Sequence, residues 1–180
     1  MNDHLAPRFS TSRPDGDTHR RKVCDHCGFI AYENPRIVVG SVIDHDGAIL
    51  LCRRSIEPRR GYWTVPAGYL ELGETPEEGA RREAREEANA ELVLHDVLAI
   101  YTVRRLSQVQ LIYRATLTDG HFSAGEETLE ARLFRFDAIP WDELAFPTVH
   151  WMLHHHRRLA SGEGGAPPFT NPEGADAGMD

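Results

Sequence analysis

Gly68-Tyr69-Leu70-Glu71-Leu72-Gly73-Glu74-Thr75-Pro76-Glu77-Glu78-Gly79-Ala80-Arg81-Arg82-Glu83-Ala84-Arg85-Glu86-Glu87-Ala88-Asn89-Ala90 is the most informative stretch of this chain. Its helix carries its own punctuation. Thr75 can cap the N-terminus, Pro76 suits the first helical position, and Glu78 completes a capping box. Asn89 tolerates the left-handed conformation that ends a helix. The spacing therefore predicts a helix over 76–88. At about 100° per residue, Ala80, Ala84 and Ala88 share one narrow stripe, small enough to sit close on a sheet. Glu83, Glu86 and Glu87 share the adjacent stripe at i, i+3 and i, i+4 spacing, where like charges destabilise a helix by a few tenths of a kcal/mol per pair. Three carboxylates facing one point call for a cation, and hard oxygen ligands suit Mg²⁺ or Mn²⁺. The bland alternative is a solvated acidic face on an amphipathic helix. The preceding Trp63–Gly68 segment weighs against it, because it runs into a tight loop able to aim a backbone carbonyl at the same cation.

Working outward, Ile37–Ile43 is an apolar, β-branched run that reads as a buried strand, followed by a turn at Asp44-His45-Asp46-Gly47. Ala48–Cys52 returns as the second arm of a hairpin. Further strands are expected at Trp63–Ala67, Leu92–Val103, Gln108–Leu117 and Ala131–Phe136, and a second helix at Pro147–Leu159. Helices interleaved with strands of mixed direction give an α/β class. Residues 1–22 are polar and read as a flexible arm, and 160–180 are rich in glycine and proline and read as a disordered tail. Between them lie a short cysteine knuckle at 23–34 and a packed domain at 35–159.

The length of 180 residues fits one globular domain. The net charge of −8 argues against a nucleic-acid binder held by phosphate contacts. It says nothing against small phosphate substrates. No apolar run is long enough to span a membrane, and no basic-then-apolar leader is present, so a cytoplasmic location is expected. Three cysteines, Cys24, Cys27 and Cys52, do not suggest a disulfide framework. Cys52 lies in an apolar strand and reads as a small core residue.

The acidic helix and its loop resemble the Nudix hydrolase box, G-x5-E-x7-R-E-U-x-E-E-x-G-U, where U is bulky and apolar. Here Gly68, Glu74, Arg82, Glu83, Glu86 and Glu87 fall on its glycine and charged positions. Asn89 stands where the box has its second glycine, and Ala84 and Ala90 are small for the U positions. The resemblance implies an α/β/α sandwich with a mixed β-sheet. It also implies that Glu83, Glu86 and Glu87 bind Mg²⁺ or Mn²⁺ with the Ala67 carbonyl as a further ligand, and that Gly68, Glu74 and Arg82 support them. Such enzymes cleave a nucleoside diphosphate linked to another group. A further acid often comes from a distant loop, and Gly125-Glu126-Glu127 supplies one, with Glu127 expected as ligand or base and Glu130 next.

Outside the box, Ile56–Trp63, Ala124–Glu127 and Ile139–Phe146 resemble a subgroup with an N-terminal zinc ribbon that includes FAD and ADP-ribose pyrophosphatases. Arg53, Arg54, Arg59 and Arg60 form a basic cluster before the box, with a phosphate role as one reading and solvated loop residues as the other. Tyr62, Tyr69, Tyr101 and Phe146 are candidates for stacking on an adenine or flavin ring, with a place in the core as the other reading. The Ser-Gln-Pro-Trp-Pro-Phe-Pro-x-Ser array of NADH pyrophosphatases is absent after Ser107-Gln108. A common ADP-ribose subgroup has a proline about 15 residues beyond the box, where this chain has Arg104-Arg105-Leu106. The resemblance therefore implies an enzyme acting on FAD or ADP-ribose and releasing AMP, with a homodimer as the common assembly. A house-cleaning hydrolase of modified nucleoside triphosphates and a non-catalytic nucleotide sensor are the alternatives. Cys24-Asp25-His26-Cys27 resembles one knuckle of the ribbon. Tetrahedral Zn²⁺ needs four ligands, and no earlier Cys-x-x-Cys is present, only His4 and His19 upstream. His150, His154, His155 and His156 on the second helix read as a solvated surface.

Overall fold

In the computed structural model, residues 6–163 and 165–175 are described, and they divide into two compact units at Pro35/Arg36. The first unit is a three-stranded antiparallel sheet, β1 (Phe9–Ser12), β2 (Arg21–Cys24) and β3 (Ile30–Ala31), in the order β1-β2-β3. The reading of 1–22 as a loose arm is corrected here for its described part. Phe9 pairs with Cys24 and Ser12 with Arg21, so polar residues form strands because the backbone ladder, not side-chain burial, holds them. Residues 1–5, His4 among them, lie outside the described residues. The β2–β3 turn is the knuckle, where the Gly28 N–H donates to the Cys24 carbonyl at 2.9 Å.

The second unit contains β4 (Arg36–His45), β5 (Ala48–Arg54), β6 (Trp63–Thr64), β7 (Ala67–Tyr69), α1 (Pro76–Ala88), β8 (Leu92–Val103), β9 (Gln108–Leu117), β10 (Thr128–Arg135) and α2 (Pro147–Ala160). The main path runs β10-β5-β4-β9-β8, with β6 on β5 and β7 on β4. β4 and β9 are parallel and the other pairings antiparallel, so the sheet is mixed. The expected Trp63–Ala67 strand is two short strands. It breaks at Val65-Pro66, where proline has no N–H for a ladder.

Alternation along β4 assigns the two faces. Val42 packs with Val149, Met152 and Leu153 of α2, whereas Ile43 packs with Ala84 and Ala88 of α1. The helices therefore cover opposite faces of one sheet, an α/β/α sandwich. The alanine stripe brings α1 close: Ala80, Ala84 and Ala88 are fully buried. On the other face, α2 departs from the expected solvated histidine surface. His155 and His156 are buried, with His155 Nδ1 2.6 Å from the Tyr101 hydroxyl and His156 Nε2 3.2 Å from Asp44. The flat imidazoles fill an aromatic layer that also includes Trp141, stacked on His154 at 4.8 Å.

The reading of 160–180 as disordered is also corrected for part of its length. The Phe169 N–H donates to the Leu98 carbonyl and the Ile100 N–H to the Phe169 carbonyl, both at 2.8 Å. Residues 176–180 lie outside the described residues.

Candidate active site

The acidic helix forms as its caps dictate. The Thr75 hydroxyl accepts from the Glu78 N–H at 3.2 Å, and the Glu78 carboxylate accepts from the Thr75 N–H at 2.8 Å. Asn89 closes the helix in the left-handed region at φ 46°. This fixes the rotation of α1 so that Glu83 and Glu87 point under the β7 strand. They are 7% and 8% exposed. Gly68 makes room for Glu83, since an ideal Cβ there would lie 2.4 Å from both of its carboxylate oxygens. Gly40 does the same one strand away, where a Cβ would lie 2.4 Å from the Ala67 Cβ.

The charges are only partly balanced. Arg82 Nε lies 2.7 Å from Glu74 Oε1, and its Nη2 donates to the Tyr69 carbonyl at 2.8 Å. Its Nη1 reaches Glu83 at 2.6 Å and Glu86 at 3.0 Å. Glu74 also accepts from the Glu71 N–H, and Arg82 holds its carboxyl below the usual range. Among the described residues Glu87 accepts only from the Ala67 N–H, at 3.2 Å. Burial, and then the Glu83 charge, push its pKa up to about 8. Burial likewise raises that of Glu83, against the pull of Arg82. Cys52 lies beneath this end of the helix, with Sγ 3.7 Å from the Glu87 carbonyl, and burial pushes its pKa up to about 12.

The loop before β10 is hooked onto the end of α1. The Ser123 N–H donates to the Ala88 carbonyl at 2.8 Å and the Gly125 N–H to the Glu87 carbonyl at 3.1 Å. Asn89 Nδ2 donates to Ser123 Oγ at 3.0 Å and to the Ala124 carbonyl at 3.1 Å. The position that breaks the box pattern thus secures the loop that delivers Glu126 and Glu127. Both acids line the same cavity as Glu83, Glu86 and Glu87.

That cavity has a volume of about 750 Å³. Ala67, Gly68, Tyr69 and Arg82 also line it, as do Ile56, Leu106 and Phe146. Of the other residues singled out from sequence, Arg53 donates to the Gly61 carbonyl at 2.8 Å, and Arg60 lines neither cavity described here. Arg59 and Tyr62 line a separate cavity of about 420 Å³ beyond Phe146, with the guanidinium 5.3 Å from the Tyr62 ring centroid. Glu130 lies on β10 in register with Arg53, outside the cavity. Of the basic cluster, Arg54 lines the wall, and the structure adds Arg105, Gln108 and Gln110 to it. Arg105 stands in the turn between β8 and β9 and the two glutamines on β9, so their place at the wall depends on strand pairing, which no local pattern announces.

Among the described residues, no three His, Cys, Asp or Glu side chains converge closely enough to hold a metal. Around α1 the Arg82 guanidinium stands between Glu83 and Glu86. The donor set nonetheless fits a hard divalent cation. Two buried carboxylates carry raised pKa values, the Glu83 oxygens are cradled where a Cβ would intrude, and the charge there exceeds what one guanidinium offsets. At the knuckle stand Cys24 and Cys27, two thiols where tetrahedral Zn²⁺ takes four ligands. Backbone N–H groups of Cys27 and His26 lower the Cys24 pKa.

The NUDIX domain family matches residues 33–168, and the zinc-ribbon family described as Nudix N-terminal matches residues 7–33. The chain belongs to the Nudix hydrolase family. It is 30% identical over 119 residues to an ADP-ribose pyrophosphatase of Methanocaldococcus jannaschii, covering 64% of this chain and 69% of that protein. Over 92 residues it is 34% identical to the nucleoside triphosphatase NudI of Salmonella typhimurium, covering 43% of this chain and 64% of that one. The crystal structure of a NUDIX hydrolase from Nitrosomonas europaea superposes with a TM-score of 0.86 at 38% identity, covering 93% of this chain and 96% of that chain.

Proposed function

We propose that this enzyme hydrolyses the pyrophosphate bond of a nucleoside diphosphate linked to a second group, ADP-ribose foremost and FAD next, releasing AMP. The observation that carries the reading is that Glu83, Glu86, Glu87 and Glu127 all line one cavity large enough for a dinucleotide-sized ligand. The 30% identity to an ADP-ribose pyrophosphatase supports the choice of substrate.

In this reading Glu83, Glu86 and Glu87 hold Mg²⁺ or Mn²⁺, with the Ala67 backbone beside them. When bound, such a cation offsets pyrophosphate charge and makes a water more acidic. Glu127 faces the same space from the opposite loop and takes the proton of the attacking water. Arg82, braced by Glu74, holds Glu83 and Glu86 in position, and Gly68 leaves Glu83 its place. Tyr69 and Phe146 offer ring faces to the base or the distal group, and Arg54 offers a cation to phosphate. ADP-ribose plus water gives AMP and ribose 5-phosphate, and FAD plus water gives AMP and FMN.

The test is product analysis of purified protein with Mg²⁺ or Mn²⁺ against ADP-ribose, FAD, NADH and oxidised dGTP. AMP from ADP-ribose or FAD is the expected result. Pyrophosphate released from the triphosphate alone would instead assign a house-cleaning role, the activity class of the NudI relative. Binding without any cleavage would assign a sensor.

A further inference from the structure

β8 ends the path of the sheet, so its outer backbone groups face no strand of that path. Residues 168–171 cover them. Phe169 bridges to Ala99 in parallel, through the Leu98 carbonyl and the Ile100 N–H. Two residues on, a side chain replaces the main chain. The Thr102 N–H donates to Asn171 Oδ1 and Asn171 Nδ2 donates to the Thr102 carbonyl, both at 2.9 Å. The carboxamide thereby imitates a strand residue at the last rung. Phe169 anchors the segment, stacking on His155 with centroids 4.4 Å apart and lying 5.4 Å from the Arg158 guanidinium.

Thr102 is one residue from the cavity wall. Val103, Arg105 and Leu106 all line it, the last two on a 3-10 turn at Arg104–Leu106. The far side of that turn is tied where the Arg36 N–H donates to the Ser107 carbonyl at 2.9 Å. The near side is tied by Asn171. Of the three guanidiniums in the cavity, Arg82 is engaged by Glu74, and Arg54 donates to the Pro58 carbonyl and lies over Phe146. Arg105 is exposed and makes no hydrogen bond or ion pair among the described residues, which leaves its fork available to an anion.

We propose that the C-terminal strap is a positioning element of the substrate site. Asn171, acting through Thr102, sets the turn that presents Arg105 to the substrate's phosphate. This rests on the pyrophosphatase reading above and adds to it a contribution from beyond the helix α2. Asn171 is a positioning residue, because it touches Thr102, one residue outside the wall, and does not line the cavity.

The experiment is steady-state kinetics on the full chain with ADP-ribose and saturating Mg²⁺, for wild type, Asn171→Ala, Arg105→Ala and the double variant. Arg105→Ala should raise KM about tenfold. Asn171→Ala should raise KM about threefold with kcat within about twofold of wild type, and the double variant should be no worse than Arg105→Ala alone, the signature of coupled residues. Asn171→Asp, which keeps the acceptor for the Thr102 N–H, should fall between wild type and Asn171→Ala, and it serves if the alanine variant folds poorly. An unchanged KM in Asn171→Ala, an equal fall in kcat, or full additivity with Arg105→Ala would overturn the proposal. If the wild type cleaves neither ADP-ribose nor FAD, the substrate reading fails on its own. The strap is then judged by hydrogen exchange at the Arg104–Leu106 amides, where faster exchange in Asn171→Ala supports it and unchanged exchange overturns it.

Discussion

Gly68 packs so closely on Glu83 that a Cβ would stand 2.4 Å from both carboxylate oxygens. No positive φ is involved, so glycine is required here for space and not for backbone freedom. The obstructed atoms are the far end of a side chain, which can turn away. Gly68→Ala should therefore cost little stability but evict Glu83 from its place. Misplacement of a catalytic group by about 1 Å can cost about 100-fold in rate. The expected outcome is a loss of that order in kcat, with a melting temperature within about 4 °C of wild type. Near-normal turnover would show that Glu83 is not needed where the structure puts it.

Glu87 gives a pH dependence with a defined sign. Its folded-state pKa, about 8, lies above the ordinary value of 4.5, so between these pH values the native state binds more protons than the unfolded one. Stability contributed by this group is thus present below about pH 4.5 and is lost as pH rises towards 8, by on the order of a few kcal/mol. Without divalent cations, Glu87→Gln should melt above wild type at pH 8 and close to it at pH 5. Added Mg²⁺ or Mn²⁺ should raise the wild-type melting temperature at pH 8 and leave the variant nearly unmoved, and the variant's turnover should be orders of magnitude below that of wild type. Calorimetry in buffers of different ionisation enthalpy should record proton release on cation binding near pH 7.

Arg82 competes with any cation for Glu83 and Glu86, because its Nη1 already spans them at 2.6 and 3.0 Å. Glu74 restrains that competition by drawing Nε to itself at 2.7 Å. Removing the restraint in Glu74→Gln should move the guanidinium further onto the two acids. The Mn²⁺ concentration needed for half-maximal activity should rise, by about three- to tenfold given the modest strength of partly exposed ion pairs. Activity at saturating Mn²⁺ should largely recover. A variant with unchanged Mn²⁺ demand would remove Glu74 from this role.

How much of this was legible in the sequence depends on the range of the interaction. The helix Pro76–Ala88 was readable to the residue, because Thr75, Glu78 and Asn89 act within one turn of where they stand. β8 and β9 were equally plain from their apolar pattern. The strands in residues 9–31 were missed because Phe9-Ser10-Thr11-Ser12 has no buried face to create a period. The strap was missed for a related reason: Phe169 and Asn171 acquire meaning only from β8, about 70 residues away. Within the site, Glu83, Glu86 and Glu87 share one helix and were found together. Arg59 and Arg60 sit beside the box in sequence but turn away from its cavity, whereas Arg105 and Gln110 reach it through strand pairing.

Asn89 separates two demands that one residue meets. Its left-handed backbone at φ 46° ends the helix, and its amide donates to Ser123 Oγ and the Ala124 carbonyl. Asn89→Gly keeps the first and loses the second, while Asn89→Ala loses both and adds a steric penalty of about 1–2 kcal/mol. The glycine variant, although it restores the residue of the box pattern, should release the loop bearing Glu126 and Glu127. Each lost hydrogen bond is worth about 1 kcal/mol, partly regained as solvation. The glycine variant should therefore melt only a few degrees below wild type, and the alanine variant lower still. Turnover should fall in both, because both free Glu127. Hydrogen exchange at the Ser123 and Gly125 amides should speed up in the two alike. A glycine variant with full turnover and unaltered exchange would mean that the backbone contacts from Ser123 and Gly125 suffice to hold Glu127 in place.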